Sequence, residues 1–193
     1  MNTAVVTGAT SGLGREIALD LARRGWQLIL PARSPGRLDR ISTDAIALGA
    51  PAPQIVDCDL ADHQQVRRMC ETLAQHRELD LVVNNAAVGG GVDTSRRETN
   101  AAGAELRMAV NAITPHLIAD LLAGALTPPG RIVQVGSMGQ APVAVDDLNF
   151  ERDYDGIAAY CRSKLALVMS TIELADRGIP VNVVHPAREM PTR

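Results

Sequence analysis

Tyr160 and Lys164 stand four residues apart in Ala159-Tyr160-Cys161-Arg162-Ser163-Lys164, a spacing that puts both side chains on one face of a helix. A free phenol loses its proton near pH ~10, and a neighbouring ammonium favours the phenolate, so such a pair can give a proton to a bound oxygen or take one from it. Ser137, in Val135-Gly136-Ser137, adds a hydroxyl that can bond the same oxygen and hold it for the phenol. The chain has two tyrosines. Tyr154 meets Ala158 at the fourth following position, so Tyr160 is the candidate. Gly136-Ser137-Met138-Gly139 lacks the Gly-x-Ser-x-Gly spacing of a nucleophile elbow. His63, His76, His116 and His185 show no ligand-like spacing, and no metal is expected. Asp57, Asp146, Asp147, Asp153 and Asp155 read as solvated or capping groups.

A second constellation lies at the start of the chain, in Thr7-Gly8-Ala9-Thr10-Ser11-Gly12-Leu13-Gly14. A glycine turn between an apolar run and a helical segment is a candidate cradle for a dinucleotide. Gly8 permits the tight turn, Gly12 lets the backbone approach a pyrophosphate, and Gly14 lets helix and strand pack closely. Thr7, Thr10, Ser11 and Leu13 complete the candidate cofactor loop. At the end of the second apolar run, Pro31-Ala32-Arg33-Ser34 carries no acid. A carboxylate there would grip a ribose 2′-hydroxyl, whereas Arg33 can pair with a 2′-phosphate, so NADP(H) is expected in preference to NAD(H).

The elements that must position these residues follow from hydrophobic pattern. Short apolar runs at 4–7, 27–30, 54–56, 79–83, 131–135 and 181–184 read as six strands. Helical segments fall at 14–24, 37–48, 62–76, 101–126 and 157–177. Strands alternating with helices imply parallel crossover units with helices on both faces of the sheet. Asp62 is placed to cap one helix, and Gly25 and Gly178 to end two others. Pro115 falls inside the helix expected over 101–126 and should bend it. Two long irregular stretches, 88–100 and 138–156, are candidates for functional loops.

With 193 residues, 46% of them hydrophobic and 21% charged, the chain can bury one core, and a single domain over 1–193 is expected. A net charge of -3 gives no basic excess for nucleic acid or for an acidic membrane surface, so a small-molecule partner is expected. Neither a leader segment nor a run of membrane-span length is expected. Three cysteines, Cys58, Cys70 and Cys161, read as buried or inert thiols of a reducing compartment, the cytoplasm.

These motifs, taken in order, resemble the short-chain dehydrogenase/reductase family. Asp59-Leu60 is similar to its adenine-contacting pair, Asn84-Asn85-Ala86-Ala87 to its Asn-Asn-Ala-Gly, and Val110-Asn111, Ser137, Tyr160-x-x-x-Lys164 and His185-Pro186 follow in the family's sequence. The stretches 99–122 and 146–166 look most like the retinol-dehydrogenase-like branch. The resemblance implies a Rossmann-type doubly wound α/β sheet of strand order 3-2-1-4-5-6. It implies a cofactor held by the glycine loop, Asp59, Leu60, Asn85, Ala86, Ala87 and Pro186 as well as by Tyr160 and Lys164, with Lys164 on the nicotinamide ribose. Asn111 would hold a water linking Lys164 to solvent. The implied activity is hydride transfer between a ketone or aldehyde and an alcohol, and the implied assembly a homodimer through the two long helices. Aromatic residues make up only 2%, which leaves an aliphatic pocket, open to a bulky apolar or polycyclic substrate.

The sequence also departs from the family. It stops at Arg193, before the usual lid segment and seventh strand, which should leave the substrate side open and the sixth strand as an edge. Ala87 and Ala187 replace customary glycines. Two other readings stay open: a non-redox enzyme on the same fold, such as a cyclase or epimerase, and a cofactor-binding regulatory protein without turnover.

Overall fold

The computed structural model describes residues 1–76 and 78–186. Its sheet has six strands, β1 (Thr3–Val6), β2 (Gln27–Ala32), β3 (Gln54–Asp57), β4 (Leu79–Asn84), β5 (Leu126–Val135) and β6 (Val181–Val184), all parallel and ordered β3-β2-β1-β4-β5-β6. The order reverses between β1 and β4, and there the crossovers leave to opposite sides and open a crevice beyond the strand ends.

Alternation along the strands explains why they read as continuous apolar runs. In β1, Ala4 and Val6 enter one core with α1 (Gly12–Arg23) and α2 (Asp39–Ala47), while Val5 enters the other. That second core holds Ile29, Val82 and Ile132 against α3 (His63–His76), α5 (Thr114–Leu122) and α6 (Gly156–Asp176). Burying each large aliphatic side chain contributes about 1.5–3 kcal/mol, so both faces must stay covered. Helix ends follow the expected chemistry: Asp62 accepts from Gln64 and Gln65 N–H at 2.9 and 3.2 Å, and Gly25 and Gly178 take φ of +75° and +84°.

Two expectations need correction. The helix expected from 101 starts with α4 (Leu106–Met108), where Glu105 caps the Met108 N–H, because Gly103 at φ +82° turns the chain first. The strand expected from 131 begins at Leu126, which pairs with Leu79 before a register shift carries Arg131 opposite Leu81. Pro115 falls inside the helical stretch as expected, and a π turn, Ala109–Ile113, precedes it between α4 and α5. A proline lacks the N–H that Asn111 would bond in regular helix and its ring crowds that carbonyl, and a wider turn makes room for both.

One stretch, Leu106–Ala125, is long and apolar enough by composition to cross a membrane, contrary to the sequence expectation, and 61% of it is buried inside the fold. It serves as a core helix against β4 and β5. Cys58 and Cys70 are buried as expected, and burial pushes their thiols up to about 11 and about 12. Cys161 is only half-buried.

Candidate active site

The glycine loop sits at the β1/β4 crevice. A Cβ on Gly8 would lie 2.8 Å from Ala86 Cα, and one on Gly14 would collide with the Gly8 carbonyl and the Asn85 amide. Gly8 and Gly14 are therefore required by the protein's own packing. At Gly12 a Cβ meets no protein atom within 4 Å, and glycine is demanded there by φ +53°. Ser11 precedes α1 without a side-chain cap, and the first turn carries no acid. These first-turn N–H groups suit a phosphate, since a helix start attracts negative charge. The observed cradle fits a dinucleotide.

Thr7 and Asn85, both expected to touch the cofactor, also support the loop from within. The Thr7 hydroxyl accepts Asn85 N–H at 3.0 Å and Ala86 N–H at 3.1 Å, while Asn85 Nδ2 donates to the Thr7 carbonyl at 3.1 Å. Leu13 packs its side chain on the core. Ala87 and Pro186 are exposed, and Ala187 lies outside the described residues.

Beside the loop a cleft of about 230 Å³ is lined by Gly8, Thr10, Arg33, Arg37, Asp59 and Leu60 among others. Asp59 is braced in it: its Oδ1 accepts Ala61 N–H at 2.9 Å and its own N–H donates to Gln65 Oε1 at 3.0 Å. Arg37 was missed by sequence reasoning. The available signal was its place four residues beyond Arg33, and the 3₁₀ turn Pro35–Leu38 brings it to the same cleft. The cleft reaches Val88 and Val110 but is not lined by Ser137 or Tyr160.

Ser137 follows β5, and its Oγ accepts Gly139 N–H at 3.1 Å. Tyr160 and Lys164 lie on α6, one helical turn apart, with Lys164 Nζ 5.9 Å from the centre of the Tyr160 ring. Among the described residues no protein group bonds the Tyr160 hydroxyl. Lys164 is 3% exposed and donates to the Val135 carbonyl at 2.8 Å, and burial pulls its ammonium down from 10.5 to about 8.

Asn111 ties three elements together from the π turn. Its Oδ1 accepts Val88 N–H at 2.7 Å, and its Nδ2 donates to the Val88 carbonyl at 2.9 Å and to Ser163 Oγ at 3.0 Å. The side chain thus braces the post-β4 turn against α6. Among the described residues no cluster of His, Cys, Asp and Glu could hold a metal. His63 and His116 contact the Ala109 carbonyl at 3.2 Å and Ser170 Oγ at 2.9 Å.

A parallel sheet with its switch point at a glycine-turn helix start, and a Tyr/Lys pair on the helix that follows β5, define a doubly wound α/β domain of the dinucleotide-binding type. The chain belongs to the short-chain dehydrogenase family, whose model matches residues 2–189. The likeness to the retinol-dehydrogenase branch holds as well: Retinol dehydrogenase 13 of Homo sapiens is 34% identical over 197 residues, covering 95% of this chain and 58% of that protein. The chain therefore spans less than two thirds of that relative. Among solved structures, a metagenomic short-chain oxidoreductase in complex with NADP is 29% identical with TM-score 0.72, over 97% of this chain and 82% of that one. A short chain dehydrogenase from Burkholderia cenocepacia J2315 in complex with NADP is 26% identical with TM-score 0.75, over 98% of this chain and 76% of that one.

Proposed function

We propose that the chain is an NADP(H)-dependent oxidoreductase that interconverts a ketone or aldehyde with an alcohol, Tyr160 moving the proton. The nicotinamide, when bound, supplies or accepts the hydride. The observation that carries this reading is a Tyr160 hydroxyl with no protein partner among the described residues, its ring 5.9 Å from a buried lysine's Nζ and, with Ser137 Oγ, flanking Gly139.

In the reducing direction Ser137 Oγ donates to the substrate carbonyl oxygen and fixes it. As negative charge grows on that oxygen, Tyr160 transfers its proton, and the Lys164 ammonium stabilises the phenolate left behind. An ammonium held near 8 releases its proton readily at mild pH, which suits Lys164 to reloading Tyr160. Asn111 keeps α6 and the turn after β4 in register, so the phenol and the cleft stay aligned. Preference for the phosphorylated cofactor is supported by Arg33 and Arg37 together at the adenosine end of the cleft, with no acid at the end of β2.

The assembly expected is a homodimer through α5 and α6. Leu165, Met169 and Ile172 form one stripe on α6, with Met169 and Ile172 more than half exposed. Light scattering that finds a monomer at micromolar concentration refutes this.

The activity is tested by following NADPH absorbance with a panel of carbonyl compounds. Net oxidation is expected, falling at least ~100-fold in Tyr160→Phe while NADPH affinity is retained. Full turnover in that variant removes the proposed acid. Conversion without net cofactor change supports a non-redox enzyme, and binding alone a regulatory protein.

A further inference from the structure

The largest fully buried side chain among the described residues is that of Arg107, in the first turn of the π-containing helix. Its guanidinium reaches four separate places. Nε donates to the Gly89 carbonyl at 2.9 Å, one terminal nitrogen to Glu98 Oε2 at 2.7 Å, and the other to the Tyr154 hydroxyl at 2.8 Å and Glu105 Oε1 at 3.4 Å. Tyr154 in turn donates to Glu105 Oε1 at 3.1 Å, and burial together with Glu105 pushes its phenol up to about 12, so it keeps the proton that bond needs. Glu105 is also wholly buried and caps the Met108 N–H with its other oxygen.

A buried ion network is an expensive way to fill space, because apolar side chains of the same volume often stabilise a core as well or better. What the cation adds is geometry. Gly89 and Glu98 belong to the loop after β4, and Tyr154 to the loop between Ser137 and α6. A second strap repeats the connection: Arg97 Nε donates to the Asn149 carbonyl at 2.9 Å, and Asn149 Oδ1 accepts Glu105 N–H at 2.8 Å. The loop after β4 also touches the start of α6, where the second loop ends, through Gly156 N–H on the Thr94 carbonyl at 2.7 Å.

Both loops border the reacting groups. A Cβ on Gly139 would lie 3.6 Å from Ser137 Oγ and 3.9 Å from Tyr160 Cε1, and one on Gly90 would lie 3.0 Å from Ile157, three residues before Tyr160. Exposed apolar side chains concentrate on these segments: Val92, Met138, Val145, Leu148 and Ile157. We propose that Arg107 is a positioning residue that clamps the two loops at a set separation, fixing the apolar rim beside Ser137 and Tyr160 and hence the fit of a bulky apolar carbonyl substrate. The substrate part rests on the oxidoreductase reading above, whereas the clamp itself does not.

The test compares the wild-type chain with Arg107→Met, Arg107→Lys and Tyr154→Phe. Hydrogen exchange is read over 88–100 and 138–156, NADPH affinity by fluorescence, and KM and kcat for a small and for a bulky apolar carbonyl. Arg107→Met keeps volume and removes the fork. Exchange should rise ~10-fold or more in both loops and not in the strands, and KM for the bulky substrate should rise ~10-fold, the worth of about one strong hydrogen bond. NADPH affinity, kcat and the small substrate's KM should stay within about twofold of wild type. Lys, with a point charge in place of the fork, should not restore the loops, and Tyr154→Phe should shift both readouts the same way by less. Unchanged loop exchange, or a rise spread evenly over the sheet, overturns the clamp. A loss of NADPH affinity or kcat in step with KM also overturns the positioning role. If Arg107→Met does not fold, Tyr154→Phe decides alone. If the wild type reduces no carbonyl, the oxidoreductase reading fails while loop exchange still decides the clamp.

Discussion

Lys164→Met should abolish turnover and yet make the folded chain more stable at neutral pH. The ammonium is 3% exposed, has one hydrogen bond, to the Val135 carbonyl, and titrates near 8 where a solvated lysine would titrate at 10.5. At about 1.36 kcal/mol for each tenfold change in proton affinity, keeping it charged in the fold costs about 3 kcal/mol. Methionine, of similar length, removes that cost and leaves the Val135 carbonyl short of a donor, a loss of about 1–2 kcal/mol. The net expectation is a gain of about 1–2 kcal/mol at pH 7. The sign changes with pH in a defined window. Below about 8 the lysine is charged in both folded and unfolded chains, and the penalty is complete. Between about 8 and 10.5 the folded chain sheds the proton while the unfolded chain keeps it, so wild-type stability rises with pH relative to the variant. Above 10.5 only the lost hydrogen bond remains, and wild type is the more stable. Urea unfolding of both cofactor-free proteins, followed through the single tryptophan Trp26 packed on the α1 core, measures the difference from pH 7 to pH 10.5. A difference that is flat with pH, or a variant less stable at pH 7, refutes the reasoning.

Arg33→Ala should weaken NADPH about 10- to 100-fold, the worth of charge-assisted bonds, and change NADH little, as read by fluorescence titration at fixed ionic strength. Equal loss for both cofactors would mean that Arg33 does not meet the 2′-phosphate. Gly14→Ala should cost about 1–3 kcal/mol or more in thermal unfolding, because its Cβ would collide with the Gly8 carbonyl and the Asn85 amide. Gln134→Met should leave stability unchanged or raise it by about 1 kcal/mol in urea unfolding. Gln134 and Asn84 both donate to the Pro115 carbonyl at 3.3 Å, and each leaves its own amide oxygen buried without a partner among the described residues. A loss beyond 1 kcal/mol would show that the Gln134 oxygen is satisfied after all.

Much of the candidate site was legible because its signals are local. Tyr160 and Lys164 share a helix face by period alone, and the glycine spacing from Gly8 to Gly14 states its turn by itself. Legibility ended where a residue's role is set by a partner far along the chain. That Asn111 braces Val88 and Ser163 could not be read from its neighbours in sequence. Arg107 and Glu105 drew no notice, since a charged residue on a helix is ordinarily solvated, and only the folded loops bury both. The start of α4 was misplaced because Ala101-Ala102-Gly103-Ala104 looks helical, while Gly103 turns left-handed and Glu105 supplies the cap.

The sequence by itself determined the alternation of strand and helix, the glycine turn and the pairing of Tyr160 with Lys164 on one helix face, because backbone preference and side-chain period act between neighbours. Tertiary structure alone decided which buried polar groups find each other, from the Thr7 brace under Asn85 to the Arg107 network across two loops. Those pairings span tens of residues, and burial makes each of them costly to leave unmade, so they are settled only when the whole sheet and its helices close together.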